Sequence, residues 1–140
     1  MIAKDKWDND DFNNMDWHDC RIYSITLPEK ELSLILDIDY IFEWILNDDM
    51  DLFKFWISPC KLAFFDVSKL KIQLDYKNSV GMDINEILMM NPTRLPNAKK
   101  DIYDFEIVTE YGYISFSSTG FEQTVIEQPI LSDSINIGRD

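Results

Sequence analysis

The sequence predicts a mainly β protein, an antiparallel sandwich or open barrel with at most one or two short helices. Three observations carry that expectation. Apolar residues recur with a period of two in run after run, and Pro, Gly, Asn and Asp clusters separate the runs. The longest such run, Leu32 to Trp44, alternates without a break. No stretch of ten or more residues carries a helical stripe.

In chain order, residues 1–16 are rich in Asp and Asn with Trp7, Phe12 and Met15 interspersed, and read as a loosely ordered N-terminal arm or a short helical turn. From Trp17, the residues Cys20, Ile22, Ser24 and Thr26 alternate with Arg21, Tyr23, Ile25 and Leu27, a strand that faces two environments. Pro28-Glu29-Lys30 then turns the chain, because proline fixes φ and withholds a ladder donor. In the long run that answers it, Leu32, Leu34, Leu36, Ile38, Tyr40, Phe42 and Trp44 occupy one face, expected to anchor the core. Ser33, Ile35, Asp37, Asp39, Ile41 and Glu43 occupy the other, which is neither a plain solvent face nor a plain core face.

A polar loop at 47–51 leads to LFKFWIS, whose expected core face is Phe53, Phe55 and Ile57, with Pro59 ending or bulging the strand. Farther on, Leu70, Ile72, Leu74 and Tyr76 point inward against Lys69, Lys71, Gln73 and Asp75. After a turn at 77–81, residues 82–90 fit both a period of two and a helical face, and are assigned to a strand. Residues 91–101, with two prolines, form the longest loop. Residues 102–110 and 113–118 make a hairpin through Tyr111-Gly112. Thr119-Gly120 interrupts it, FEQTVIEQ continues to Pro129, and residues 131–140 read as a polar tail.

At 140 residues the chain is one domain by size. Its 46% hydrophobic and 14% aromatic content supports a packed core. The balance of 13 basic against 26 acidic residues, a net charge of -13, repels phosphate backbones and anionic lipid, so nucleic acid and membrane are disfavoured as partners. An acidic surface favours solubility and steered association with a basic protein. Cys20 and Cys60, forty residues apart, show no metal or redox spacing and are read as reduced, buried thiols. Neither a signal peptide nor a membrane span is expected, and the expected address is the cytoplasm. No cofactor motif is present.

Chemistry is thinly signalled. Trp17-His18-Asp19-Cys20 holds the chain's one histidine, a group suited to acid–base work or metal ligation, although adjacent strand residues point apart and leave Asp19 poorly placed to orient His18. Asp37 and Asp39 share a face, near enough to chelate a hard cation. A hairpin centred on 28–29 would set His18 opposite Asp39, so the three are a candidate pocket for an enzyme or a small-ligand or metal binder. Ser58-Pro59-Cys60 lacks a glycine elbow, and Ser117-Ser118-Thr119-Gly120 lacks a phosphate loop's lysine; both read as turn chemistry.

Four pieces, WHDCRIYSI at 17–25, LDIDYIFEW at 36–44, FWISPCKLAF at 55–64 and SSTGFEQ at 117–123, resemble a family of small uncharacterised bacterial proteins. The resemblance spans residues 17–128 and implies no activity, so no catalytic residue is transferred. It does single out Trp17, His18, Asp19, Asp37, Asp39, Tyr40, Gly120, Phe121 and Gln123; with Gly120 set aside, these are the candidate binding residues. The leading expectation is a non-enzymatic, acidic cytoplasmic protein engaging a basic protein partner, similar in character to bacterial immunity proteins. The alternative is the pocket of His18, Asp37 and Asp39.

Overall fold

The structure, a computed structural model, describes residues 4–47, 52–77 and 80–137. Most of the expected loop at 47–51 and part of the turn at 77–81 lie outside the described residues. The described chain is mainly β. Its strands are β1 (Lys6–Asp8), β2 (Arg21–Thr26), β3 (Leu34–Asn47), β4 (Leu52–Phe65), β5 (Ser68–Leu74), β6 (Met82–Thr93), β7 (Ile102–Thr109), β8 (Gly112–Ser118), β9 (Gly120–Val125) and β10 (Ile130–Ser132). A short 3-10 helix, Asn9–Asn14, follows β1 and is capped by Asp8, whose carboxylate accepts from the Asp10 amide at 3.0 Å.

All pairings are antiparallel, in the order β1-β9-β4-β3-β2-β6-β7-β8-β5, with β10 also paired to β4. This one open sheet folds over on itself. Phe64 of β4 lies 5.1 Å from Phe105 of β7 and 4.8 Å from Phe116 of β8, although β4 is hydrogen-bonded to neither strand. Two corners carry the chain between the halves. At the first, Asp66 takes a positive φ and the Val67 amide donates to Leu32 O at 2.9 Å. At the second, Ser118 Oγ donates to Phe65 O at 2.6 Å as β8 passes into β9. Arg21 and Asp83, paired at 2.6 Å, staple β2 to β6 where that contact is only two residue pairs long.

The alternating face of β3 behaves as expected through Leu34, Leu36, Ile38 and Tyr40, all buried. A bulge between Ile41 and Glu43 then breaks the alternation. Beyond it Trp44 is 41% exposed, a departure from the core role expected of it. On β4, Phe53 is likewise 47% exposed, while Phe55, directly opposite Trp44, and Ile57 remain buried. Leu32, expected on the core face, is exposed and sits at a positive φ before the strand begins.

Pro59 neither ends nor bulges β4. Its carbonyl accepts from the Ile126 amide, so its nitrogen faces the same side. There the partner of β4 changes from β10, which reaches Ile57, to β9, which begins at Cys60. The missing donor thus falls in a gap between partners, where none is needed.

At Asp39 the second face of β3 is met by the chain's own C-terminal segment. Asp39 is fully buried, its Oδ2 accepting from the Tyr23 hydroxyl at 2.5 Å and the Ile137 amide at 2.9 Å. Ile135 and Ile137 pack against the core from this segment.

Candidate functional site

The WHDC stretch is a tight turn rather than the start of a strand. Asp19 adopts φ 65, its amide donates to Ile84 O at 2.8 Å, and the Cys20 amide returns to Trp17 O at 3.0 Å. Asp16 holds the entry, accepting from the His18 amide at 2.9 Å, while its own amide donates to the Tyr40 hydroxyl oxygen at 3.1 Å. The turn drives Trp17 inward and leaves His18 exposed.

Inward, four of the candidate residues meet. Trp17 packs edge-on to Tyr40 and Phe121, with ring centroids 6.2 and 5.7 Å away, and its indole Nε1 donates to Gln123 Oε1 at 2.8 Å. Trp17, Tyr40, Phe121 and Gln123 are all buried. Gln123 Nε2 is the one buried side-chain polar atom without a hydrogen-bond partner among the described residues. Burial pushes the Tyr40 hydroxyl and the Cys20 thiol well above their ordinary pKa values, so both stay neutral in the folded protein.

Outward, His18 Nδ1 lies 3.2 Å from the Asn85 carbonyl oxygen, which only accepts, so this nitrogen carries the proton. His18 Nε2 is 3.5 Å from Asp19 Oδ2, nearer than strand geometry allows, because the positive φ of Asp19 swings both side chains to one side. The imidazole lies nearly parallel to Trp44, 17° between planes and 6.5 Å between centroids. Trp44 in turn packs edge-on to Phe53 and Phe55 at 5.8 and 5.0 Å. A strip of rings thus runs from His18 along the β3–β4 hairpin, with Leu46, paired to Phe53, half exposed at its end.

The expected meeting of His18 with Asp37 and Asp39 does not follow from the register. Arg21 is the residue opposite Asp39, and Ser24 is opposite Asp37, because the hairpin turns between residues 30 and 31, with Thr26 facing Ile35, and not at 28–29. His18 precedes β2 and is bound to β6 instead. Asp37 is half buried, across from Lys61. Among the described residues no three His, Cys, Asp or Glu side chains gather to hold a metal ion. The exposed aromatic strip was not legible as such, since Trp44 and Phe53 read as core by alternation. The bulge that re-aims Trp44 leaves no mark in residue type, and Phe53 is exposed although it shares a face of β4 with the buried Phe55 and Ile57.

No family model matches the chain, and neither a curated protein nor a solved structure is significantly similar to it. Function is therefore read from geometry and charge. No helix among the described residues is long and apolar enough to cross a membrane.

Proposed function

We propose that the chain is a non-enzymatic binding protein of the cytoplasm that engages a basic protein partner, in the manner of an immunity protein covering a basic site. The observation that carries this reading is the exposed ring strip of His18, Trp44 and Phe53 with its acidic rim. Asp16 and Asp19 flank the histidine, and Glu86 follows the Asn85 that binds it; Asp16 and Glu86 are exposed. Exposed aromatics supply contact area at low entropic cost, while rim carboxylates steer a basic surface and reject an acidic one. The net charge of -13 acts in the same direction at long range.

The test is capture of a partner from a lysate of the source organism on immobilised chain, followed by titration of the purified pair. Affinity is expected to fall steeply with added salt. Trp44→Ala is expected to weaken binding at least about tenfold, the scale of a hot-spot aromatic. Asp16→Asn with Asp19→Asn is expected to slow association more than it speeds dissociation. An affinity indifferent to salt and to Trp44→Ala, or no retained partner, would overturn the proposal.

A further inference from the structure

A second concave surface lies where the loop after β6 meets the N-terminal turn, a cleft of about 420 Å³ lined by none of the residues of the ring strip. That size is within the range of small-ligand sites. Its walls carry opposite charge. The loop contributes Arg94, Lys99 and Lys100 together with Asp101, and the N-terminal turn and β9 contribute Asp8, Asp10 and Glu122, with Tyr103 and Phe121 also in the lining.

What distinguishes the cleft from an ordinary salt-bridged surface is that the two walls do not neutralise each other. Arg94 binds its own loop's Asp101 at 2.9 Å, and Glu122 pairs with Lys6 at 3.5 Å. Among the described residues, Lys99 and Lys100 have no ion-pair partner, and neither does the Asp10 carboxylate. In a chain with twice as many acids as bases, Lys99 and Lys100 thus share a cleft with acids with which they form no ion pair.

Part of the lining is fixed. Asn9 donates to Thr119 O at 3.0 Å and accepts from the Phe121 amide at 2.9 Å, clasping the N-terminal turn to the start of β9. Gly120 has φ +149, and a Cβ there would come within 2.2 Å of the Asn9 side chain, so the clasp needs glycine.

A free anion entering such a cleft is drawn to one wall and repelled by the other, and a free cation likewise. A molecule carrying both charges at its two ends gains from both walls at once. We infer that the cleft binds a small zwitterion with separated charges, of which a short peptide with free termini is the type. Its carboxylate lies toward Lys99 and Lys100, and its ammonium toward Asp8 and Asp10. This site is independent of the protein-partner surface at His18 and Trp44.

The experiment is a two-dimensional amide NMR titration of the full chain with tri-alanine, whose side chains add nothing to recognition. Parallel titrations use the N-acetylated and the C-amidated peptide. Saturable shifts are expected at Asn9, Gly120 and Phe121, and blocking either terminus is expected to weaken binding about tenfold, the scale of one lost charge-assisted contact. Lys99→Gln with Lys100→Gln is expected to weaken the free peptide and to remove the preference over the amidated one, while the preference over the acetylated one remains. Asp10→Asn is expected to do the converse. These exposed substitutions leave the fold intact, which unchanged amide shifts elsewhere will show. No saturable shift at millimolar peptide, shifts that map away from the cleft, or equal binding of blocked and free peptides would overturn the inference.

Discussion

Replacing Asp39 with alanine isolates the contact by which the C-terminal segment is held against β3. The carboxylate is fully buried, and the substitution removes the oxygen that accepts from the Tyr23 hydroxyl at 2.5 Å and the Ile137 amide at 2.9 Å. An orphaned buried donor costs about 1–3 kcal/mol. Both donors belong to half-buried residues that water can reach in part, so the low end applies, for a sum of about 2–3 kcal/mol. For a chain of this length that lowers Tm by about 5–10 °C. Both donors converge on Oδ2, so Asp39→Asn, whose one amide oxygen can still accept from both, is expected to lose less than Asp39→Ala. Urea melts monitored by tryptophan fluorescence give the global value, and amide exchange gives the local one. The Ile137 amide is expected to be protected in the parent and to exchange freely in Asp39→Ala. A loss below about 0.5 kcal/mol, the scale of an indifferent surface change, together with unaltered protection at Ile137, would refute the reasoning.

Two further outcomes follow from the inner cluster. Trp17→Phe strips the Gln123 amide of its one bonded atom and is expected to cost about 2–3 kcal/mol in chemical denaturation; adding Gln123→Leu, which removes the stranded partner, is expected to restore part of the loss. Burial raises the Tyr40 and Cys20 pKa values above the ordinary 10.0 and 9.0, so the unfolded chain releases these protons before the native one. Stability is therefore intact below about pH 9 and falls as pH rises, by up to about 1.4 kcal/mol per unit for each group. Tyr40→Phe is expected to flatten that decline above about pH 10, and an unchanged slope in melts across this range would count against the assignment.

Much of the fold was legible because alternation is a local property. The β7–β8 hairpin lies within one residue of where the sequence puts it: the chain turns at Glu110-Tyr111 instead of Tyr111-Gly112, and Gly112, whose φ of 143 suits glycine alone, opens β8. Residues 82–93 form a strand even though their pattern also fits a helical face, because β7 supplies a ladder along almost their whole length. The polar tail gave no hint that residues 130–132 pair with β4 and that Ile137 reaches Asp39, since both contacts span most of the chain.

At the site, the residues were nameable but their arrangement was not. Strand geometry separates His18 from Asp19, and only the positive φ of a turn brings them to 3.5 Å. One bulge at Ile41–Glu43 moves Trp44 from the core to the surface, and a hairpin that turns between residues 30 and 31 sets Arg21, not His18, opposite Asp39. By itself, the sequence determined the β class, most of the longer strands, the charge and the pool of candidate residues, all of which follow from composition and a period of two. Only the tertiary structure decided what lies over each face. A period assigns a side chain to one side of a sheet, but whether that side meets solvent, a facing sheet or the chain's own tail depends on contacts that sequence spacing does not encode.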